Sequence, residues 1–291
     1  MSATNLPPIW QCIAICWGTK FTAKNVTDLF EQVLEHASVP PRLILLTDQN
    51  REDIPSHIEQ RVIDPFYLQP KFLARGAQAK LSQFAEGTLP CDIPTVCLDL
   101  DTLVIGDVYR VVGALRDTNQ ILMLGNSLFV FSRAARFITK ISGGRFRSRG
   151  NSSVLCYLPS KNYQIDIAFR EEFLGITQVP QSAMGADDRF ISWLEHHRVR
   201  RLSSRIAVKF PAEYMRKQYW HVALRARLPW VKRRRASLAI VTFPGADADI
   251  DILRQLPEQA SLRDDKGRMI NWTDKAAYPV KQKLMKKTKS T

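Results

Sequence analysis

Short apolar runs alternate with amphipathic stretches through the first hundred residues. The run IWQCIAICW, Ile9 to Trp17, has apolar residues on both alternating faces, the pattern of a strand covered on both sides. It is too short for a membrane span, which takes about 20 apolar residues, and it lacks a basic leader, so it reads as a first strand. AKNVTDLFEQVLEHA, Ala23 to Ala37, sets Val26, Leu29, Phe30, Val33 and Leu34 on one helical face. PRLILLTD, Pro41 to Asp48, is a second strand, GAQAKLSQFAEGTL a further helix, and TVCLDLD, Thr95 to Asp101, another strand. Strand, helix and strand at these lengths predict βαβ units and a mainly parallel sheet. Ligands of such sheets collect beyond the carboxyl ends of the strands, which puts Asp48 and Asp99 to Asp101 at that rim.

The second half is less regular. NSLFVFSRA and NSSVLCYL read as strands opened by Asn-Ser, DDRFISWLEHH as a helix with acids in its first turn, and LAIVTFPG, Leu238 to Gly245, as a late strand. Beyond Asp247 the pattern weakens, and VKQKLMKKTKST is a lysine-rich tail expected to be flexible. With no internal repeat and no clean linker, the expectation is one α/β domain over 9–247 and a basic C-terminal extension over 248–291.

Composition changes this picture in one respect. Hydrophobic content of 45% and charged content of 24% are those of an ordinary globular chain, but the formal net charge of the 291 residues is +14. Such a surface attracts an anionic partner. Nucleic acid is disfavoured, because there is no recognition-helix motif, RNP-type aromatic strand or zinc pattern. RARLPWVKRRR, Arg225 to Arg235, is the densest basic stretch. It suits docking on an anionic membrane face, a groove for a phosphorylated glycan, or simply a solvated face. The five cysteines are odd in number and form no CxxC pair, which points to reduced thiols and a cytoplasmic protein.

The strand TVCLDLD raises the sharpest chemical question. Aspartate is a poor strand former and costly to bury alone, yet Asp99 and Asp101 close a strongly apolar run. They either hold a hard divalent cation on a diphosphate or cap a turn. LDLDTLVIGDV resembles the Asp-x-Asp segment of nucleotide-diphospho-sugar glycosyltransferases of the GT-A fold, in particular the glycogenin and lipopolysaccharide-galactosyltransferase group. The order Gly18, Lys20-Phe21, Thr47-Asp48, Lys80-Leu81, Asp99-Leu100-Asp101 and Gly106-Asp107 is similar to that group's order of motifs.

The resemblance implies a single GT-A domain with a Rossmann-like sheet flanked by helices. It further implies a retaining transferase that moves a sugar from a UDP-linked donor to a glycan or glycolipid acceptor. Asp99, Leu100 and Asp101 would meet the nucleotide, with Asp99 and Asp101 holding Mn²⁺ or Mg²⁺. Trp17, Gly18, Thr19, Lys20 and Asp48 would form the base and ribose pocket, and Lys80 would contact the donor. Asn151 and Ser152, or the competing Asn126, would recognise sugar hydroxyls; Asp187 and Asp188 would stand near the anomeric carbon, Asp188 where the group usually has glutamine. One departure stands out. The group closes its last core strand with Phe-His-Gly, its histidine completing the metal shell, whereas this chain has Phe243-Pro244-Gly245. That substitution motivates a rival expectation, a catalytically silent binding or scaffold protein on the same fold.

Overall fold

The computed structural model describes residues 9–73, 77–125, 131–142, 148–243, 253, 261–264, 266–271 and 280. Its strands are β1 (Gln11–Cys16), β2 (Arg42–Thr47), β3 (Glu59–Val62), β4 (Thr95–Leu98), β5 (Thr102–Val104), β6 (Ile121–Gly125), β7 (Gly150–Tyr157), β8 (Val199–Arg201), β9 (Ala207–Lys209), β10 (Ile240–Thr242), β11 (Ser261–Arg263) and β12 (Met269–Asn271). Seven of them form the main sheet in the order β3-β2-β1-β4-β7-β6-β8. Only β7 runs against its neighbours there. The C-terminal ends of β1, β2, β4, β6 and β8 and the N-terminal end of β7 therefore share one rim. A second sheet, β5-β10-β9, stands beside it, and β11 and β12 make a separate antiparallel pair.

The helices are α1 (Ala23–His36), α2 (Pro70–Leu73), α3 (Tyr109–Val112), α4 (Arg133–Ile141), α5 (Gln164–Phe173), α6 (Gln181–Met184), α7 (Asp187–Leu194), α8 (Phe210–Tyr214), α9 (Tyr219–Arg227) and α10 (Pro229–Ala236). Among the described residues, no helix is long and apolar enough to cross a membrane.

The apolar run of β1 is continuous because both faces of the main sheet are covered. Cys12, Ala14 and Cys16 join one core cluster with Val26, Leu29, Phe30 and Val33 of α1. Ile13 and Ile15 join the other, with Phe84, Tyr157 and Phe169. Each such fully buried side chain contributes about 1.5–3 kcal/mol. A third cluster lies against the second sheet around Leu103, Val241 and Phe243; it also takes in Leu253 and Val280, both fully buried beyond residue 247. The described cysteines carry no disulfide, and Cys91 alone among the five is exposed.

Several elements depart from the sequence expectation. Leu34 is 40% exposed, whereas Gln32 is buried. The amide of Gln32 donates to Asp28 O and accepts from Val104 N, so α1 uses a polar side chain to seal the edge of β5. The segment expected as a helix before β4 is a 3₁₀ helix, Gln78–Phe84. Five of its residues are buried, including Ser82 and Gln83, and burial all round erases the one-sided pattern of a surface helix. The strand expected at NSLFVFSRA falls mainly on 126–130, including Asn126, which lie outside the described residues; β6 ends before it at Gly125, and Ser132 caps α4 after it. The basic stretch from Arg225 spans the end of α9 and α10. There Trp220, Leu224 and Trp230 are each more than half exposed.

Candidate functional site

The β1–α1 turn is the first wall of the rim. Gly18 sits at φ +62°, a left-handed conformation that favours glycine, and its N–H donates to Asp48 Oδ2 at 2.8 Å. Arg51 locks the pair by donating to Gly18 O at 2.9 Å, to Asp48 Oδ1 at 3.1 Å and to Thr47 Oγ1 at 3.1 Å. Against the burial that raises it, these bonds from Gly18 and Arg51 hold the Asp48 carboxyl below its ordinary range. Asp48 is thus tied into the turn. Arg51 escaped the sequence reading, since a lone arginine in a loop carries no motif. Trp17 packs its ring partly into the core, while Thr19 and Lys20 are exposed. The Lys20 ammonium lies over the Phe21 ring at 4.9 Å.

The Asp-x-Asp segment is a break between two sheets. β4 ends at Leu98, the N–H of Asp99 donates to Ser153 O of β7, and β5 begins at Thr102. Asp101 O accepts from Phe243 N at 2.9 Å, which ties the segment to the end of β10. Leu100 is 8% exposed and packs in the first core cluster, so it anchors the segment and can offer a ligand only its backbone. Pinned at both ends and in the middle, the segment holds the two aspartates at the C-terminal end of β4.

Charge is concentrated there. Lys80, carried by the buried 3₁₀ helix, places Nζ 2.5 Å from Asp99 Oδ1. Despite a burial that opposes it, the ammonium is held firmly protonated by Asp99 and Asp187. Burial first, and then the charge of Asp99, push the Asp101 carboxyl up to about 7, with Lys80 and Lys20 opposing. Asp187 is 4% exposed at the start of α7. Burial, partly offset by Lys80 and reinforced by Asp188, pushes it up to about 6.

Asp187 and Asp188 are adjacent but face different partners. Asp187 takes a bond from the Ser152 side chain, and its Oδ2 is buried without a hydrogen-bond partner. Asp188 is held by Arg149, with N–O distances of 3.0–3.2 Å. Neither is a side-chain cap of α7. Asn151 spends Oδ1 on Ser153 N at 3.3 Å. Lys80, Asp99, Asp101, Ser152 and Asp187 thus form one electrostatically connected group. Asp48 and Asp188 belong to supporting ion pairs.

Two neighbouring carboxylates offer the hard oxygen donors that suit a divalent cation, and Asp101, half-buried and crowded by the charge of Asp99, is the carboxylate that such a cation would relieve. Among the described residues no three His, Cys, Asp or Glu side chains converge as a ligand set, and Pro244 lies outside them. Water or a diphosphate oxygen would have to complete the coordination shell. The neighbouring Gly106-Asp107 is architectural: a Cβ on Gly106 would lie 2.9 Å from Leu238 O, and Asp107 accepts from Ser38 and from Tyr109 N.

No family model matches the chain, and no curated protein matches it by sequence. Solved structures do. The galactosyltransferase LgtC, crystallised with donor and acceptor sugar analogues, is 17% identical with a TM-score of 0.52; the match covers 82% of this chain and 88% of that one. An active-site mutant of LgtC matches with a TM-score of 0.51 at 16% identity, over the same shares of the two chains. The apo bifunctional glycosyltransferase WbbM matches with a TM-score of 0.55 at 10% identity, over 98% of this chain but only 52% of its own length. At these identities the likeness is one of fold, and the chain has the fold of the GT-A glycosyltransferases.

Proposed function

We propose that the protein is a glycosyltransferase that moves a sugar from a nucleotide-diphosphate donor, UDP-linked, to a glycan or glycolipid acceptor with retention of anomeric configuration. The observation that carries this reading is the convergence of Lys80, Asp99, Asp101 and Asp187 on one rim of the GT-A-type sheet. The β1–α1 turn, held by Asp48 and Arg51, would take the nucleoside, and Thr19 and Lys20 would flank it. Asp99 and Asp101 would hold Mn²⁺ or Mg²⁺, which supplies Lewis-acid neutralisation of the leaving diphosphate. The Lys80 ammonium adds positive charge beside the same group, fixed in place before the reaction begins. Asp187 would place negative charge where the anomeric carbon becomes positive as the leaving group departs, with Ser152 orienting it and Asn151 meeting sugar hydroxyls.

Calorimetry with UDP and Mn²⁺ tests the reading. The expected result is metal-dependent UDP binding that Asp101→Ala abolishes; equal UDP affinity with and without metal, in both proteins, would remove the metal role. A second reading, a catalytically silent scaffold on the same fold, is favoured by the missing third ligand among the described residues. Nucleotide release across a panel of nucleotide sugars separates the two, since a folded protein with no turnover on any donor supports the scaffold.

A further inference from the structure

Next to the donor rim lies a cavity of about 270 Å³, bordered by β6, β8, β9 and helices α8 to α10 and lined by Arg201, Lys209, Arg216, Arg225, Arg234 and Glu213. Five cations thus face one carboxylate. Glu213 is 5% exposed and binds three guanidiniums: Arg225 at 3.3 Å, Arg234 at 2.7 Å and Arg235 at 2.8 Å. One carboxylate cannot neutralise both Arg225 and Arg234, so positive charge remains in a partly buried place, where it is costly unless paired. The excess shows in the groups themselves. Burial lowers the pKa of Arg225, Glu213 opposes it, and repulsion from Arg234 and Arg235 adds to the lowering; Arg234 Nε is buried with no hydrogen-bond partner.

The arrangement is also preorganised. Arg235 leaves the cavity to lie over the Tyr214 ring at 4.5 Å and donates to Glu213 O at 3.0 Å, fixing the acid. Glu213 in turn holds the Arg225 and Arg234 forks, whose geometry matches phosphate. A cavity of about 270 Å³ exceeds the roughly 150 Å³ that accommodates a benzene ring, which leaves room for a phosphoryl group and part of a sugar ring.

Its position decides the ligand. Lys209 pairs with Thr242, and Thr242 pairs with Thr102, the residue after Asp101. Two strand spacings of about 4.8 Å separate the cavity edge from the acidic segment. Gly125 and Arg201, at the ends of β6 and β8, bring the same cavity to the main-sheet rim.

We propose that this cavity is an acceptor subsite for a phosphoryl group, so that the acceptor is a phosphorylated glycan; this rests on the sugar-transfer reading above. Arg216, Arg225 and Arg234 bind the phosphate, Glu213 positions the last two, and the attached sugar extends toward the donor rim.

Titration of the full chain with mannose 6-phosphate, at low ionic strength and with saturating UDP and Mn²⁺, tests the assignment. Binding is expected, with inorganic phosphate competing and unphosphorylated mannose not. Arg225→Gln is expected to weaken it about tenfold or more, the effect of one charged hydrogen bond, while UDP affinity stays unchanged. Arg216→Gln, which leaves the Glu213 cluster intact, guards against a folding defect and is expected to act in the same direction. Unchanged affinity in both variants would overturn the proposal. So would a chain that ignores mannose 6-phosphate but binds phosphatidylglycerol vesicles in an Arg225-dependent way, which would make the cavity a lipid-headgroup site. Asp101→Ala separates the two levels: it is expected to lose UDP and keep the sugar phosphate. Sugar-phosphate binding in a wild-type chain that never binds UDP would refute the transfer reading and leave the phosphoryl site standing.

Discussion

Asp187 has its ionised form disfavoured by burial and by its neighbour Asp188. Its folded pKa of about 6 lies above the ordinary 3.8, so the folded chain binds this proton more tightly than the unfolded chain does. The resulting stabilisation is full below the unfolded value and is lost as pH rises through about 6. Asp101 acts in the same direction, toward about 7. Metal-free protein should therefore unfold at a lower urea concentration at pH 7.5 than at pH 5. Asp187→Asn should remove its own share of that slope, about 1.4 kcal/mol between those two pH values, and leave the share of Asp101. Urea midpoints across pH for both proteins check this, and an unchanged slope in the variant would rule out Asp187 as its source. Other side chains at this scale were legible only as identities. The sequence marks Asp48 and Asp188 as acids at the rim, but only the fold gives them Arg51 and Arg149 as partners, from positions without any pattern of their own.

Among the elements, those with a strong period were legible in advance. The alternation in β1, the amphipathic face of α1 and the start of α7 are each written in local residues, because burial on one or both faces selects apolar side chains at the period of the backbone. The entry to α1 even carries its own cap: Thr22 and Asn25 exchange backbone and side-chain bonds. The 3₁₀ helix that carries Lys80 was misread in type because it is enclosed by other elements and has no solvent face. The switch from β4 to β5 was invisible for another reason: one apolar run serves two sheets, and the turn between them is fixed by Ser153 and Phe243, far away in sequence. Gly106 closes that switch against β10. Since an added Cβ would sit 2.9 Å from Leu238 O and 3.3 Å from Ala239 Cα, both backbone atoms, Gly106→Ala should force β5 and β10 apart. The expected cost is about 1–3 kcal/mol, read from the shift in urea midpoint; a change smaller than about 0.5 kcal/mol would show that the strands yield freely.

For the whole molecule, the second sheet and its core couple the acidic segment to the C-terminal part of the chain. Phe243 donates to Asp101 O and packs in the third core cluster, whose fully buried members include Leu253 and Val280. Leu253 and Val280, both beyond residue 247, thus pack in one cluster with Phe243. Leu253→Ala should destabilise the chain by about 2–5 kcal/mol, with UDP affinity falling as the Asp101 anchor loosens. Thermal unfolding and calorimetry on one preparation check both effects. Full stability in the variant would make the extension a passive appendage.

The sequence by itself determined the α/β class, the parallel half of the sheet, the rim on which Asp99 and Asp101 lie, and the excess of positive charge. These follow from local periodicity and from residue type, which a single chain carries in full. Only the tertiary structure decided that Arg51 ties Asp48 and Arg149 ties Asp188, that Lys80 reaches Asp99, and that Glu213 gathers three arginines around one carboxylate. Most of those outcomes depend on side chains far apart in sequence and joined by topology, and no local pattern records the distance between them.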